Sequence, residues 1–168
     1  MGFDVYGKNP VMVEGMVEPE WPEDFGKLSD EDQSDYFKKQ DEFRSLNEGN
    51  YFRASIWSWR PILDIICQEC SHLLDGDTLE GLGCNDGHGP DDQETCTEMA
   101  ECIEKFVAVA GESEGYSLPS ELRVKGDGTL VTGEDADWDK TQSAYSVDWD
   151  HLVRFCKFLR KCGGFAAH

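Results

Sequence analysis

Residues 51–74 read YFRASIWSWRPILDIICQECSHLL, and a change of period inside this stretch decides the fold class. Its first half is aromatic-rich, and Tyr51, Arg53 and Trp57 share one parity, so a strand over Tyr51–Trp57 would place them on one face. Its second half carries Ile62, Leu63, Ile65, Ile66, Leu73 and Leu74, apolar around much of a helix, with Pro61 suited to a first turn. A strand running into a buried helix over about 60–74 is the expectation.

Three more helices are predicted outward from it. One spans about 30–46, with Ser29 as N-cap, Asp30, Glu31 and Asp32 favouring its positive end, and Gly49 closing it. Tyr36, Phe37 and Phe43 give it a thin apolar face, which predicts a surface helix. The next spans about 91–110 after Pro90, with Cys96, Met99, Cys102, Ile103, Phe106 and Val107 at helical spacing and Gly111 beyond its end. The last spans about 147–162, capped by Ser146, with Trp149, Leu152, Val153, Cys156 and Leu159 or Phe158 in its stripe and Gly163 after it. Phe3–Tyr6 reads as a strand, and Leu122–Lys125 and Thr129–Thr132 read as a hairpin about Gly126-Asp127-Gly128. Segments 75–90 and 133–145 read as loops, with Trp138 anchored in the core. The sum is a mainly helical α+β single domain over 1–168, with a small antiparallel sheet or hairpin and with 14–48 as an acidic insertion or surface arm.

Charge narrows the function classes. The chain holds 35 Asp and Glu against 15 Lys and Arg, a net of -20. Residues 14–48 carry a net of -8, 75–104 carry ten acids and no base, and 140–168 reverse sign to +3. Such a surface repels phosphate backbones and anionic lipid, so no direct nucleic acid and no membrane contact is expected. No run of 18 apolar residues occurs, and the start has no signal-peptide pattern, so the expected location is cytoplasmic. The seven cysteines, an odd count, read as small buried hydrophobes rather than a disulfide scaffold.

The opening MGFDVYGKNP, the block YFRASIWSWRPILD, the loop NDGHG (85–89) and the closing FLRKCGGF (158–165) resemble a group of small bacteriophage and bacterial proteins that open with an MG-x-DVYG motif. The resemblance implies a phage-related origin, hence a host cytoplasm. No function is attached to the group, so it assigns no catalytic residue.

Each candidate site competes with a structural role. Tyr51, Arg53, Trp57 and Arg60 could stack a ring and pair an anion, or simply pack the helix–sheet junction. With Asn85 and Asp86 they form a candidate small-ligand site. Cys67, Cys70, Cys84 and His88 have donors suited to a Cys3His zinc site, although the CxxC falls within a predicted helix. The 85–92 loop is oxygen-rich but lacks EF-hand spacing, so helix capping competes with calcium. HExxH, Walker A and GxGxxG are all missing from the sequence, which leaves enzyme status open and leaning to no. A catalytic group assembled from Asp4, Tyr6, Arg53 and Asp86 would be invisible to motif reading. The lead reading takes the acidic surface, through Asp30, Glu31, Asp32, Asp91, Asp92 and Glu94, as a contact face for a protein partner. That partner would be a basic nucleic-acid-binding protein whose groove the carboxylates occupy, with Trp21 and Tyr36 as exposed anchors. Simple solubility is the competing role.

Overall fold

In the computed structural model, which describes residues 2–110, 114–132 and 137–168, the chain opens with strand β1 (Gly2–Gly7). Phe3 and Val5 are buried, and Asp4 and Tyr6 lie on the other face, as the two-residue period of a strand requires. Helix α1 (Asp30–Leu46) has the expected bounds, and Ser29 Oγ accepts the Asp32 N–H at 3.2 Å. It lies on the surface as expected, with Phe37 45% exposed, but part of its thin apolar face is covered. Tyr36 and Phe43 are buried, and Trp21 and Phe25 stack at 4.4 Å and meet Tyr36 edge-on at 5.3 and 5.6 Å. Tyr36 is therefore no exposed anchor, whereas Trp21 remains 59% exposed.

Strand β2 (Tyr51–Ser55) stops before Trp57 because Ser55 caps helix α2 (Ile56–Glu69), its Oγ accepting the Ser58 N–H at 3.2 Å. Trp57 is thus helical and does not share a face with Tyr51 and Arg53. Pro61 sits inside α2, where its missing N–H removes one helical hydrogen bond. Burial compensates: Trp59, Ile62, Ile65 and Ile66 are wholly enclosed, each contributing about 1.5–3 kcal/mol.

The segment expected as loop at 75–90 holds short helix α3 (Gly76–Gly81), started by Asp75, whose carboxylate accepts the Thr78 N–H at 2.7 Å. Helix α4 (Gln93–Ala110) begins two residues later than expected because Asp92 is its cap, accepting the Thr95 N–H at 2.8 Å. Gly111 lies outside the described residues. Strands β3 (Gly115–Ser117), β4 (Arg123–Lys125) and β5 (Leu130–Val131) follow, the last two forming the expected hairpin. Strand β6 (Thr141–Ser143) lies in the second stretch expected as loop, of which 133–136 fall outside the described residues, and strand β7 (Ser146–Asp148) follows it. Trp138 is 56% exposed under the Arg123 guanidinium, 4.3 Å above its ring, and so does not anchor in the core. Asp148, not Ser146, caps helix α5 (Trp149–Leu159), and an unanticipated strand β8 (Phe165–Ala167) closes the chain.

These strands form three small antiparallel sheets, in orders β2-β1-β8, β3-β7 and β5-β4-β6. The α+β reading holds. Phe3, Val5, Phe52, Ala54, Phe165 and Ala167 point from the first sheet into one core shared with α2, α4 and α5. Phe3 stacks on Trp59 at 5.1 Å, Phe52 meets Phe155 at 5.0 Å, and the Trp59 indole N–H donates to the Leu82 carbonyl at 2.8 Å. Gly163 turns the chain out of α5 with φ +64°, so close to Asn9 that a Cβ there would lie 2.1 Å from its carbonyl oxygen. No described helix is long and apolar enough to cross a membrane.

Candidate functional site

Three elements distant in sequence enclose a groove of about 440 Å³. The end of α1 supplies Arg44 and Ser45, and the turn after it Glu48; β2 supplies Tyr51, Phe52 and Arg53; α5 supplies His151, Arg154, Lys157 and Phe158. Positions 151, 154 and 157 or 158 recur every three or four residues, so they share one face of α5. The hydrophobic contact of Phe52 with Phe155 and Phe158 seats that helix under β2. Among the lining residues four permanent cations, Arg44, Arg53, Arg154 and Lys157, stand against one carboxylate, Glu48. In a chain of net charge -20 this is an inversion of the local field.

The carboxylates near the groove do not cancel it. Glu48 is held by Lys161 at 2.6 Å and reaches Lys157 only at 3.9 Å. Asp4, on the outer face of β1 beside the groove, accepts a short hydrogen bond from the Tyr51 hydroxyl and stands 3.7 Å from Arg53 Nε. Arg44 and Arg154 have no ion-pair partner among the described residues. Arg44 lies flat over the Tyr51 ring at 4.2 Å, and Arg154 Nη2 donates to His151 Nδ1 at 2.9 Å. Two N–H groups of the groove's side chains, Arg44 Nε and His151 Nε2, are buried without a hydrogen-bond partner among the described residues. A buried donor left so costs about 1–3 kcal/mol.

Protonation follows from these contacts. Burial, then the adjacent Arg154 charge, pushes the His151 imidazole below its ordinary value, so the ring is neutral. A guanidinium can only donate, so Nδ1 is the acceptor and the proton sits on Nε2. Tyr51 is pushed up to about 12, by burial first and then by its bond to Asp4. The phenol therefore remains a donor locked to Asp4 and is unsuited to act as a base near neutrality.

The sequence candidates are only partly assembled. Of the catalytic candidates, Asp4 and Arg53 meet across the β1–β2 ladder, Tyr6 lies opposite Tyr51, and Asp86 pairs instead with His88. Tyr51 and Arg53 thus belong to the groove. Trp57 and Arg60 turn away to Tyr145, at 5.0 and 5.7 Å. Asn85 donates to the Gly2 carbonyl at 3.3 Å, and Asp86 binds His88 Nδ1 at 2.6 Å, which holds the Asp86 carboxyl below its ordinary range. The zinc candidates are not brought together. Cys67 and Cys84 are exposed, Cys70 is buried with its thiol donating to the Met99 carbonyl at 3.7 Å, and among the described residues no three metal-ligating side chains cluster. Of the acidic set, Asp32 bonds Ser29, Asp91 pairs with Lys8 at 2.5 Å, and Asp92 caps α4, while Asp30, Glu31 and Glu94 are exposed without an ion pair among the described residues. Sequence reading missed Arg44, Glu48, Arg154 and Lys157; the sign reversal over 140–168 was the available signal.

Comparison with protein-family models, with curated proteins and with solved structures finds no match for this chain.

Proposed function

We propose that this protein is a binding module for an anionic ligand, held in the groove between α1, β2 and α5. The observation that carries the reading is the convergence of Arg44, Arg53, Arg154 and Lys157 on one concavity of an otherwise acidic molecule. Charge-assisted hydrogen bonds from guanidinium groups suit a carboxylate or phosphate, and Tyr51, Phe52 and Phe158 add apolar wall. The test is calorimetric titration of the protein with inorganic phosphate and with a dicarboxylate. Saturable binding lost in an Arg154→Gln, Lys157→Gln double variant supports the reading; absence of binding to either anion ends it.

A second reading keeps the acidic surface as a contact face for a basic protein partner. It is favoured by Asp30, Glu31 and Glu94, which are exposed and form no ion pair among the described residues. The two readings respond oppositely to salt. Capture of a basic nucleic-acid-binding protein on the acidic face weakens as salt rises, whereas anion entry to the groove improves once the overall negative field is screened.

A further inference from the structure

We infer that the groove takes an extended acidic peptide, which adds to the open edge of β2 as a fourth strand and places its carboxylates against the two cationic walls. This rests on the anion-binding reading and specifies its ligand.

The register provides the argument. The Gly7 N–H donates to the Asn50 carbonyl at 3.1 Å, and Asp4 exchanges hydrogen bonds with His168 at 2.7 and 2.8 Å. In β1, residues 3, 5 and 7 therefore turn their backbone groups to β2, and residue 4 turns its groups to the C-terminal strand. Across the ladder, residues 50, 52 and 54 face β1, so the N–H and C=O groups of Tyr51 and Arg53 face away from it. No strand lies beyond β2 in this sheet, and no backbone hydrogen bond of the described residues occupies those four groups. They run along the groove that Arg44, Arg53, Arg154 and Lys157 flank. An unpaired edge is a template for another strand.

Charge selects the occupant. A second copy pairing edge to edge would bring two sets of Arg44, Arg53, Arg154 and Lys157 together, which like-charge repulsion opposes. An acidic strand meets them favourably. Successive side chains of an added strand point to opposite faces. One set would meet Arg44 and Arg53 beside Tyr51, and the other would meet Arg154 and Lys157 on α5. The ligand is thus a run of consecutive Asp or Glu residues, since both of its faces meet cations.

The experiment is fluorescence anisotropy of the full chain with a labelled Asp/Glu peptide, the same peptide N-methylated at successive central amides, and inorganic phosphate as competitor. The expected result is saturable peptide binding, competition by phosphate, and roughly tenfold or greater weakening on N-methylation, because methylation removes the strand's donors but not its charge. Equal affinity of the two peptides would overturn the inference and leave anion binding standing. Phosphate binding without peptide binding would do the same, as would concentration-dependent dimerisation that the peptide does not disturb. Failure of both phosphate and peptide to bind would remove the anion-binding reading as well.

Discussion

Replacing Asn47 by Ala tests how the acidic N-terminal segment is tied to the groove. Asn47 is 1% exposed, directly after α1. Its side-chain amide donates to the Phe43 carbonyl at 2.9 Å, its Oδ1 accepts the Val13 N–H at 2.7 Å, and it also touches Met16 Sδ at 3.6 Å. The Phe43 carbonyl keeps the Asn47 backbone N–H at 3.0 Å after the change, so it is not orphaned. Val13 is 44% exposed and can turn to water. What is lost is two hydrogen bonds at about 0.5–1.5 kcal/mol each, plus the packing of the buried amide, for a total near 2–3 kcal/mol. Urea unfolding followed by tryptophan fluorescence measures it, and limited proteolysis should show cleavage within 8–29 becoming faster. Because α1 and the turn that follows Asn47 carry Arg44, Ser45 and Glu48 into the groove, anion affinity should fall as well. A loss under about 0.5 kcal/mol with unchanged proteolysis would refute the claim that Asn47 holds this segment in place.

Four further outcomes are expected. Asp92→Lys removes the α4 cap and places a cation at the helix's positive end, costing about 1–2 kcal/mol, whereas Glu98→Lys, one turn further on and exposed, leaves the melting temperature nearly unchanged; equal effects would contradict the capping role. Tyr51, held up to about 12 against an ordinary 10.0, contributes stability that is complete below pH 10 and lost as pH rises through its folded value. Ultraviolet titration should therefore find a late-ionising tyrosine that ionises earlier in Asp4→Asn. His151, held below its ordinary value, contributes stability that is present above that value and declines as pH falls through the window between ordinary and lowered values; an NMR titration showing an ordinary imidazole would refute the burial argument. The association rate of an anion with the groove should rise between about 10 mM and about 150 mM salt, and a steep fall would show that the acidic surface does not govern its approach.

Local signals carried much of the fold. Ser29 with its three following acids marked the start of α1 to the residue, and Gly126-Asp127-Gly128 marked the hairpin. Two competing caps defeated the rest. The aromatic alternation through Trp57 suggested a longer strand, but Ser55 offered its hydroxyl to the Ser58 N–H and the helix began there. Ser146 looked like the cap of α5, but Asp148 supplies a carboxylate at 2.7 Å from the His151 N–H. The CxxC pair illustrates a different failure. Cys67 faces solvent on the last turn of α2, whereas Cys70 lies just past the helix as its C-cap and turns into the core, so spacing alone could not define a metal site. The groove was illegible for a topological reason. Arg44, Arg53 and Arg154 meet only because α5 packs beneath β2 and the chain after α1 turns tightly into it. In a chain this acidic, the simplest role of a basic stretch is to pair with the protein's own acids. Arg160 does so with Glu104 and Lys161 with Glu48, both at 2.6 Å, while Arg154 and Lys157 turn to the groove.

The contrast between a net charge of -20 and a cationic groove is a selectivity device rather than a contradiction. At physiological ionic strength the screening length is about 8 Å, so a short anion seated in the groove interacts with the contacting guanidinium and ammonium groups and only weakly with distant carboxylates. A long polyanion has no such escape. A duplex or a single strand laid across the groove must extend beyond it, over the surface of a chain whose net charge is -20. Each phosphate outside the groove then meets repulsion, and each phosphate inside gains at most what a short ligand gains. Specificity is a difference of affinities, and here the unfavourable half of that difference lies in the surface surrounding the site. Neutralising distant carboxylates such as Glu94 or Glu98 should therefore leave short-anion affinity nearly constant while admitting single-stranded nucleic acid. The opposite pattern would place the selectivity inside the groove itself.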